Sequence, residues 1–260
     1  MAPIPNTSTV GRVAAVLRVL GADDRHTELP VSEIARAIGR ETSQISRMLK
    51  ALAATGLVEQ NPETRAYRLG WQLHVLATKA GDQRLLRAGP PVLRALVAET
   101  HETALLSVLQ GARSYTILRE RSPHSLQAGG RVGRTSPLHV TASGRALLLD
   151  RSDEEIRDLI ADDIDSTDYG PHALRSLPDV LNRLRQERSN SCTVAAEELE
   201  IGLVAIGAPI RDSTGQIIAA INVSGPTSRM LNHIDTLSTA AKTAAHRLST
   251  ATTRSDQHRR

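Results

Sequence analysis

The segment from Thr42 to Thr55 constrains the fold of this chain more tightly than any other. Ile45, Met48, Leu49 and Leu52 recur at the i, i+3, i+4, i+7 spacing of a buried helical stripe, and Gly56 marks its end. Ser43, Ser46, Arg47 and Lys50 repeat at helical spacing on the opposite face, with Gln44 beside them. Two further helices are predicted ahead of it. The first carries Val10, Val13, Ala14, Leu17 and Leu20 behind a cap at Ser8 or Thr9. The second carries Ile34, Ala35 and Ile38 behind Ser32 and ends at Gly39, with Asp23–Thr27 read as a loop between the two. Gly39-Arg40-Glu41-Thr42 is a tight connection of helix-turn-helix proportions. Leu57–Gln60 and Ala66–Leu69 then flank a turn at Asn61–Arg65, the pattern of a small β-hairpin.

An amphipathic helix taken alone has a polar face that is merely solvated. Here it closes a three-helix unit and is followed by a hairpin, and its polar face combines hydroxyls, an amide and two cations. Arginine can pair with guanine in two hydrogen bonds and glutamine with adenine, while hydroxyls and lysine suit phosphates. The expected contacts to double-stranded DNA are therefore Arg12, Arg40, Thr42, Ser43, Gln44, Ser46, Arg47 and Lys50. Arg65 at the hairpin tip joins them, with Tyr67 and Arg68 flanking it. Each phosphate contact would add salt-dependent affinity that is blind to sequence. The formal net charge of +4 favours an anionic partner only weakly.

Beyond the hairpin the chain changes character. A linker helix is expected over 71–90, with a helical pattern from Trp71 to Ala80 interrupted at Gly81-Asp82. Pro90-Pro91 is read as opening another helix through Thr100, because a first helical turn needs no proline N–H. Strands are expected at 104–109, 115–120, 203–210 and 217–223, and helices at 141–149, 152–161, 173–188 and 233–250. This gives an α+β chain of two domains: 8–70, then the linker helix at 71–90, then 91–252, with a disordered tail at 253–260. With 40% apolar residues but no Phe, aliphatic side chains and alanine must fill both cores. A single cysteine, Cys192, excludes an internal disulfide framework and agrees with a reducing compartment. No apolar run reaches membrane-spanning length and the N-terminus lacks the pattern of a signal peptide, so a cytoplasmic protein with no membrane association is expected.

Several separated motifs, in order, resemble the IclR family of bacterial transcriptional regulators. They are Thr9-Val10-Gly11-Arg12, Val31-Ser32-Glu33-Ile34-Ala35, Ser43 to Leu52 followed by Gly56-Leu57-Val58, and Pro137 to Ala146. Glu197-Glu198, Gly202 to Ile210 and Val223-Ser224-Gly225-Pro226 continue the likeness, which covers roughly residues 8–250. The resemblance implies a winged helix-turn-helix domain, a linker helix and a GAF-like α/β effector-binding domain. It also implies a dimer formed through the N-terminal region, with a dimer of dimers as the higher assembly. Trp71 and Val75 are candidates for the dimer seam.

By the same likeness a small organic effector would be held by Leu126, Ser136, Ala142, Ser143, Ala195, Ala205, Asn222 and Ser224. Asn222 and Ser224 are two apart on one strand and so share a face. Ala195 stands where some relatives that bind small carboxylic acids have an acidic residue, and Ala205 where they have a cysteine. Both departures imply a roomier, less polar site and an aromatic-acid-like metabolite. The expected role is thus a ligand-responsive regulator, a repressor, acting on a palindromic operator. Two other readings fit the residues: a DNA-binding assembly protein without an effector, and a ligand-binding module whose N-terminal helices contact protein.

Catalysis is not expected. No Gly-x-Ser-x-Gly elbow surrounds Ser143, Cys192 lacks a thiolate-stabilising context, and His139 is read as structural. Gly129, Gly130 and Gly133 lack phosphate-loop spacing, and the nine histidines lack metal-ligand spacing, so neither cofactor nor metal is expected.

Overall fold

The computed structural model describes residues 8–22, 28–166 and 168–257. The chain divides into two compact units, with the division after Gln83. The first unit contains α1 (Thr9–Leu20), α2 (Val31–Ile38), α3 (Thr42–Ala54), β1 (Val58–Gln60), β2 (Tyr67–Leu69) and α4 (Trp71–Ala77). Ser8 caps α1 by accepting the Gly11 N–H at 2.9 Å. Ser32, the expected cap of α2, lies inside its first turn instead, because Pro30 already holds the extended entry conformation. Gly39 adopts the left-handed conformation (φ 67°) that lets its own N–H and that of Arg40 bond back to Arg36 and Ala35. The loop expected at Asp23–Thr27 lies outside the described residues.

Val16, Ile34, Ile45, Leu49, Val58 and Tyr67 form the core beneath these helices. Tyr67 was expected to face DNA, but its side chain is only 1% exposed and belongs to this core. Its backbone exchanges two 2.8 Å hydrogen bonds with Leu29, which draws the aromatic ring inward.

The second unit runs α5 (Gln83–Thr100), β3 (Thr103–Gln110), β4 (Arg113–Glu120), β5 (Thr135–Ser136), α6 (Ala142–Leu148), α7 (Asp153–Ile160) and α8 (Leu177–Asn190). It continues with β6 (Thr193–Ala196), β7 (Leu203–Arg211), β8 (Ile217–Pro226), α9 (Thr227–Met230), a 3-10 turn at Leu231–His233, and α10 (Ile234–Gln257). The six strands form one antiparallel sheet in the order β5-β4-β3-β8-β7-β6. Leu106, Ile206, Ile221 and Val223 on one face pack in a core with Leu93 and Leu96 of α5 and Ala241 and Leu248 of α10. A second core joins Ala220 of β8 to Leu148 of α6, Ile156 of α7 and Val180 and Leu184 of α8 on the other face.

Three expectations need correction here. The linker helix over 71–90 is not continuous, since α4 ends at Ala77 and Gly81 turns the chain at φ 64°. The next helix starts at Gln83, not at Pro90, and both prolines lie inside α5. Gly89 relieves the restriction that Pro90 places on the residue before it. The tail expected to be disordered from 253 continues α10 to Gln257, and 258–260 lie outside the described residues. Among the described residues, no helix is long and apolar enough to cross a membrane.

Candidate nucleic-acid interface and effector face

In the first unit, α3 is seated by its apolar stripe, with Ile45 and Leu49 at most 1% exposed. That seating leaves Thr42, Ser43, Gln44, Arg47 and Lys50 exposed and Ser46 half-buried. Arg40 is exposed in the turn before the helix. Arg12, half-buried on α1, donates to the Thr9 hydroxyl at 3.0 Å. A groove of about 470 Å3 runs between α1 and α3, lined by Thr9, Arg12, Val13, Gln44, Arg47 and Met48 among others.

The hairpin is built around Asn61. Its side-chain oxygen accepts the Glu63 and Thr64 N–H groups at 2.9 and 3.3 Å, and its amide nitrogen donates to the Glu28 carboxylate at 3.0 Å. Glu28 also accepts the Thr64 hydroxyl at 3.0 Å, so the tip is pinned from two sides. Arg65, exposed at the tip, takes the left-handed conformation at φ 61°. Arg68 is paired with Glu59 at 2.9 Å. Sequence reasoning missed Glu28; the only local signal was Asn61 before a proline turn.

In the second unit, register fixes which side chains share the sheet face under α6. One row across the strands is Ala195, Ala205, Ser224 and Thr103, and the next is Thr193, Gly207, Asn222, Leu105 and Arg119. A third brings Ala220 beside Ser107 and Thr116. Cross-strand partners share a face, so Asn222 and Ser224 point the same way, as expected. The start of α6 lies directly on this surface. Thr141 caps it by accepting the Gly144 N–H, and Thr193 Oγ1 donates to the Ala142 carbonyl at 2.7 Å. Ser143 Oγ lies 3.2 Å from Ser114 Oγ, and Ser114 is the register partner of Ser136 on β5.

Ala142, Ser143, Ser136, Ala195, Ala205, Asn222 and Ser224 are therefore gathered around one face. Leu126 is not among them, being 67% exposed with its carbonyl held by Arg229 at 3.0 Å. That contact anchors a strap, residues 121–134, that crosses the face: Gly130 lies against Leu105, and Arg119 donates to Gln127 Oε1 at 3.1 Å and to the Ala128 carbonyl at 3.3 Å. Asn222 Oδ1 is buried and accepts no hydrogen bond from any described residue.

Below α6 sits a buried charge cluster that sequence reasoning missed. Arg145, with no exposed surface, donates to Glu187 at 2.9 Å, to Glu198 at 2.5 Å and to the His139 and Val194 carbonyls at 2.9 and 2.6 Å. The His139 ring packs edge-on against Tyr169 at 5.4 Å, and neither of its nitrogens meets a described partner. Burial, with Arg145 and Arg113 adding to it, lowers its pKa from 6.5 to about 4. Burial also raises the Cys192 thiol, which makes it a poor nucleophile. No group of three His, Cys, Asp or Glu side chains suited to a metal occurs among the described residues.

Two family models match this chain: an IclR helix-turn-helix domain over residues 9–62, and the C-terminal domain of the bacterial transcriptional regulator IclR over 78–250. The regulator KdgR of Dickeya chrysanthemi is 30% identical over 225 residues, covering 86% of this chain and 72% of its own length. The regulator XynR of Escherichia coli is 28% identical, covering 87% and 89%. An IclR homologue of Microbacterium hydrocarbonoxydans, solved in complex with 4-hydroxybenzoate, shares the fold with a TM-score of 0.74. It is 23% identical, and the match covers 92% of this chain and 98% of that one. The IclR of Thermotoga maritima superposes with a TM-score of 0.72 at 22% identity, covering 93% and 97%. A helix-turn-helix unit, an α/β unit behind it and these matches agree, and the chain belongs to the IclR family, whose members are transcriptional regulators and not enzymes.

Proposed function

We propose that this regulator is a repressor that binds a palindromic operator as a dimer and releases or holds it in response to an aromatic, acid-like metabolite. The observation that carries the DNA reading is the polarity of α3. Ser43, Gln44, Arg47 and Lys50 stand in water over fully buried Ile45 and Leu49. In this reading Gln44 and Arg47 meet base edges, Thr42, Ser43, Ser46 and Lys50 meet phosphates, and Arg12, Arg40 and Arg65 add backbone contacts. Two copies would bring two such helices to half-sites about one DNA turn apart. The exposed apolar side chains of Trp71, Val75 and Leu76 on α4 support a seam between copies, and the higher assembly would be a dimer of dimers.

The effector reading rests on the α6 face. Its floor carries only the small side chains of Ala195 and Ala205, and Asn222 Oδ1 offers a buried acceptor to a hydroxyl or N–H of the ligand. The 4-hydroxybenzoate bound by the Microbacterium homologue is a compound of this kind. Ser143, Ser136 and Ser224 would supply the remaining polar contacts.

The test is selection of genomic fragments by the full-length protein, followed by fluorescence anisotropy at two salt concentrations. A near-palindromic site retained at the higher salt is expected. Arg47→Ala and Gln44→Ala should each lower affinity for that site about 10- to 100-fold, the size of a lost two-bond base contact. Binding that ignores sequence and disappears with salt would overturn the reading.

A further inference from the structure

We propose that Glu28 is a positioning residue for operator recognition: its carboxylate sets the tip of the β1–β2 hairpin so that Arg65 meets one defined phosphate. The inference rests on the reading of this hairpin as a wing over DNA. In that reading an acidic side chain beside the tip is a liability, because it carries the same sign as the phosphates. Glu28 is half-buried, and among the described residues only neutral donors meet it. Its charge is spent on holding backbone geometry and not on pairing a cation.

Glu28 Oε1 accepts the Thr64 hydroxyl at 3.0 Å and an Asn61 side-chain N–H at 3.2 Å, and Oε2 accepts from Asn61 at 3.0 Å. Those two residues hold Arg65 from both sides. The Thr64 hydroxyl accepts the Ala66 N–H at 3.3 Å, across Arg65. The Asn61 carbonyl accepts the Arg65 N–H at 2.9 Å, and the Arg65 carbonyl accepts the Gln60 side chain at 2.9 Å. Arg65 is thereby kept at φ 61°, a left-handed conformation that a residue other than glycine holds only under such constraint. Its guanidinium stands exposed and bonds to no described residue, so it is available to an anion.

Glu28 also refers the tip to the helix that would read bases. Next to it Leu29 exchanges two hydrogen bonds with the Tyr67 backbone of β2, and Pro30 opens α2, whose Ile34 shares a core with Ile45 of α3. On the operator, α3 fixes the register, each phosphate sits in one place, and Arg65 must be aimed at it. On DNA of arbitrary sequence the domain slides, and an unaimed cation serves as well. Loss of Glu28 therefore weakens the operator complex alone, whereas loss of its charge without any positioning role would strengthen binding to both.

The full-length protein and its variants can be titrated by fluorescence anisotropy with a duplex recovered by the genomic selection, and with a scrambled duplex of the same length and composition. Arg65→Ala should weaken the recovered duplex about tenfold and lower the salt slope by about one. Glu28→Ala should do the same on that duplex and leave the scrambled one bound as tightly as before, or more tightly. Thr64→Val cuts the link from its other end with Glu28 in place, and should match Glu28→Ala on the recovered duplex. Glu28→Gln keeps the Oε1 that serves both Asn61 and Thr64, and should retain most of the affinity. The double variant of Glu28→Ala and Arg65→Ala should bind no more weakly than Arg65→Ala alone, because the carboxylate acts through that arginine. Unchanged or tighter binding of the recovered duplex by Glu28→Ala, or additive losses in the double variant, would overturn the role of Glu28 and leave the wing standing. An Arg65→Ala protein that binds as the wild type does would overturn the wing contact, and the role of Glu28 with it.

Discussion

At the scale of single residues, the costliest arrangement in the molecule is the polar layer under α6. His139 is wholly buried beside two arginines that lower its pKa, so it stays neutral in the folded protein down to about pH 4. In the unfolded chain it takes up a proton near pH 6.5. Between those values the unfolded state binds more protons, and stability falls as the pH falls; above 6.5 the contribution is complete. His139→Leu should therefore abolish a loss of about 2 kcal/mol between pH 7.5 and pH 5, read as the difference between wild-type and variant urea unfolding at the two pH values. An equal slope in the variant would show that His139 does not titrate as its surroundings require. The sequence reads His139 as structural and carries no sign of the Arg145 cluster beside it. Arg145 lies in a segment, Ala142 to Leu149, in which every residue is buried. Its partners Glu187 and Glu198 are 42 and 53 residues away, and no local pattern announces a pairing at that distance.

At the scale of elements, the helices of the first unit were legible because each carries its own stripe and stop signal. The small elements of the second unit were not. β5 spans two residues and β6 four, too short for alternation to register, and they form only because β4 and β7 offer edges to pair with. Pro90 and Pro91 misled in the other direction, since proline suits a helix start and the tertiary packing of Leu85, Leu93 and Leu96 nonetheless carries α5 through them. Two-residue alternation places Asn222 and Ser224 on one face, and the register sets Ser224 beside Ala205 and Ala195. Leu126 stands apart from them, on a strap with no periodicity. Gly207 is what allows α6 to rest on the sheet: a Cβ there would lie 2.8 Å from the backbone of Ala142 and from Thr193 Oγ1. Backbone cannot rotate aside as a side chain can. Gly207→Ala should cost about 1–3 kcal/mol of effector-domain stability and weaken ligand binding, while α3 keeps its sequence preference for DNA. Thermal unfolding with and without 4-hydroxybenzoate, set beside operator binding, checks all three.

At the scale of the whole molecule, charge alone does not explain DNA binding. Residues 1–83 carry ten Lys and Arg against eight Asp and Glu, hardly more basic than the rest of the chain. What matters is placement, and one copy of α3 with Arg12, Arg40 and Arg65 covers only one half-site. The proposed palindromic operator needs two copies held together for selective binding, and α4 carries the proposed seam. Trp71, Val75 and Leu76 on α4 and Val10 on α1 are each more than half exposed, which fits the proposed seam. Because Trp71 is already solvated within one chain, Trp71→Asp should leave the fold of each copy intact. It should convert the protein to a 28.0 kDa species in sedimentation. Operator affinity should fall about 100-fold or more, because the second half-site no longer binds at the high effective concentration of a tethered partner. The slope of log affinity against log salt should drop to about half, since only half the phosphates are neutralised in each binding event. The base preference within a half-site should survive, because α3 is untouched. A Trp71→Asp protein that sediments and binds as the wild type does would overturn the proposed seam on α4.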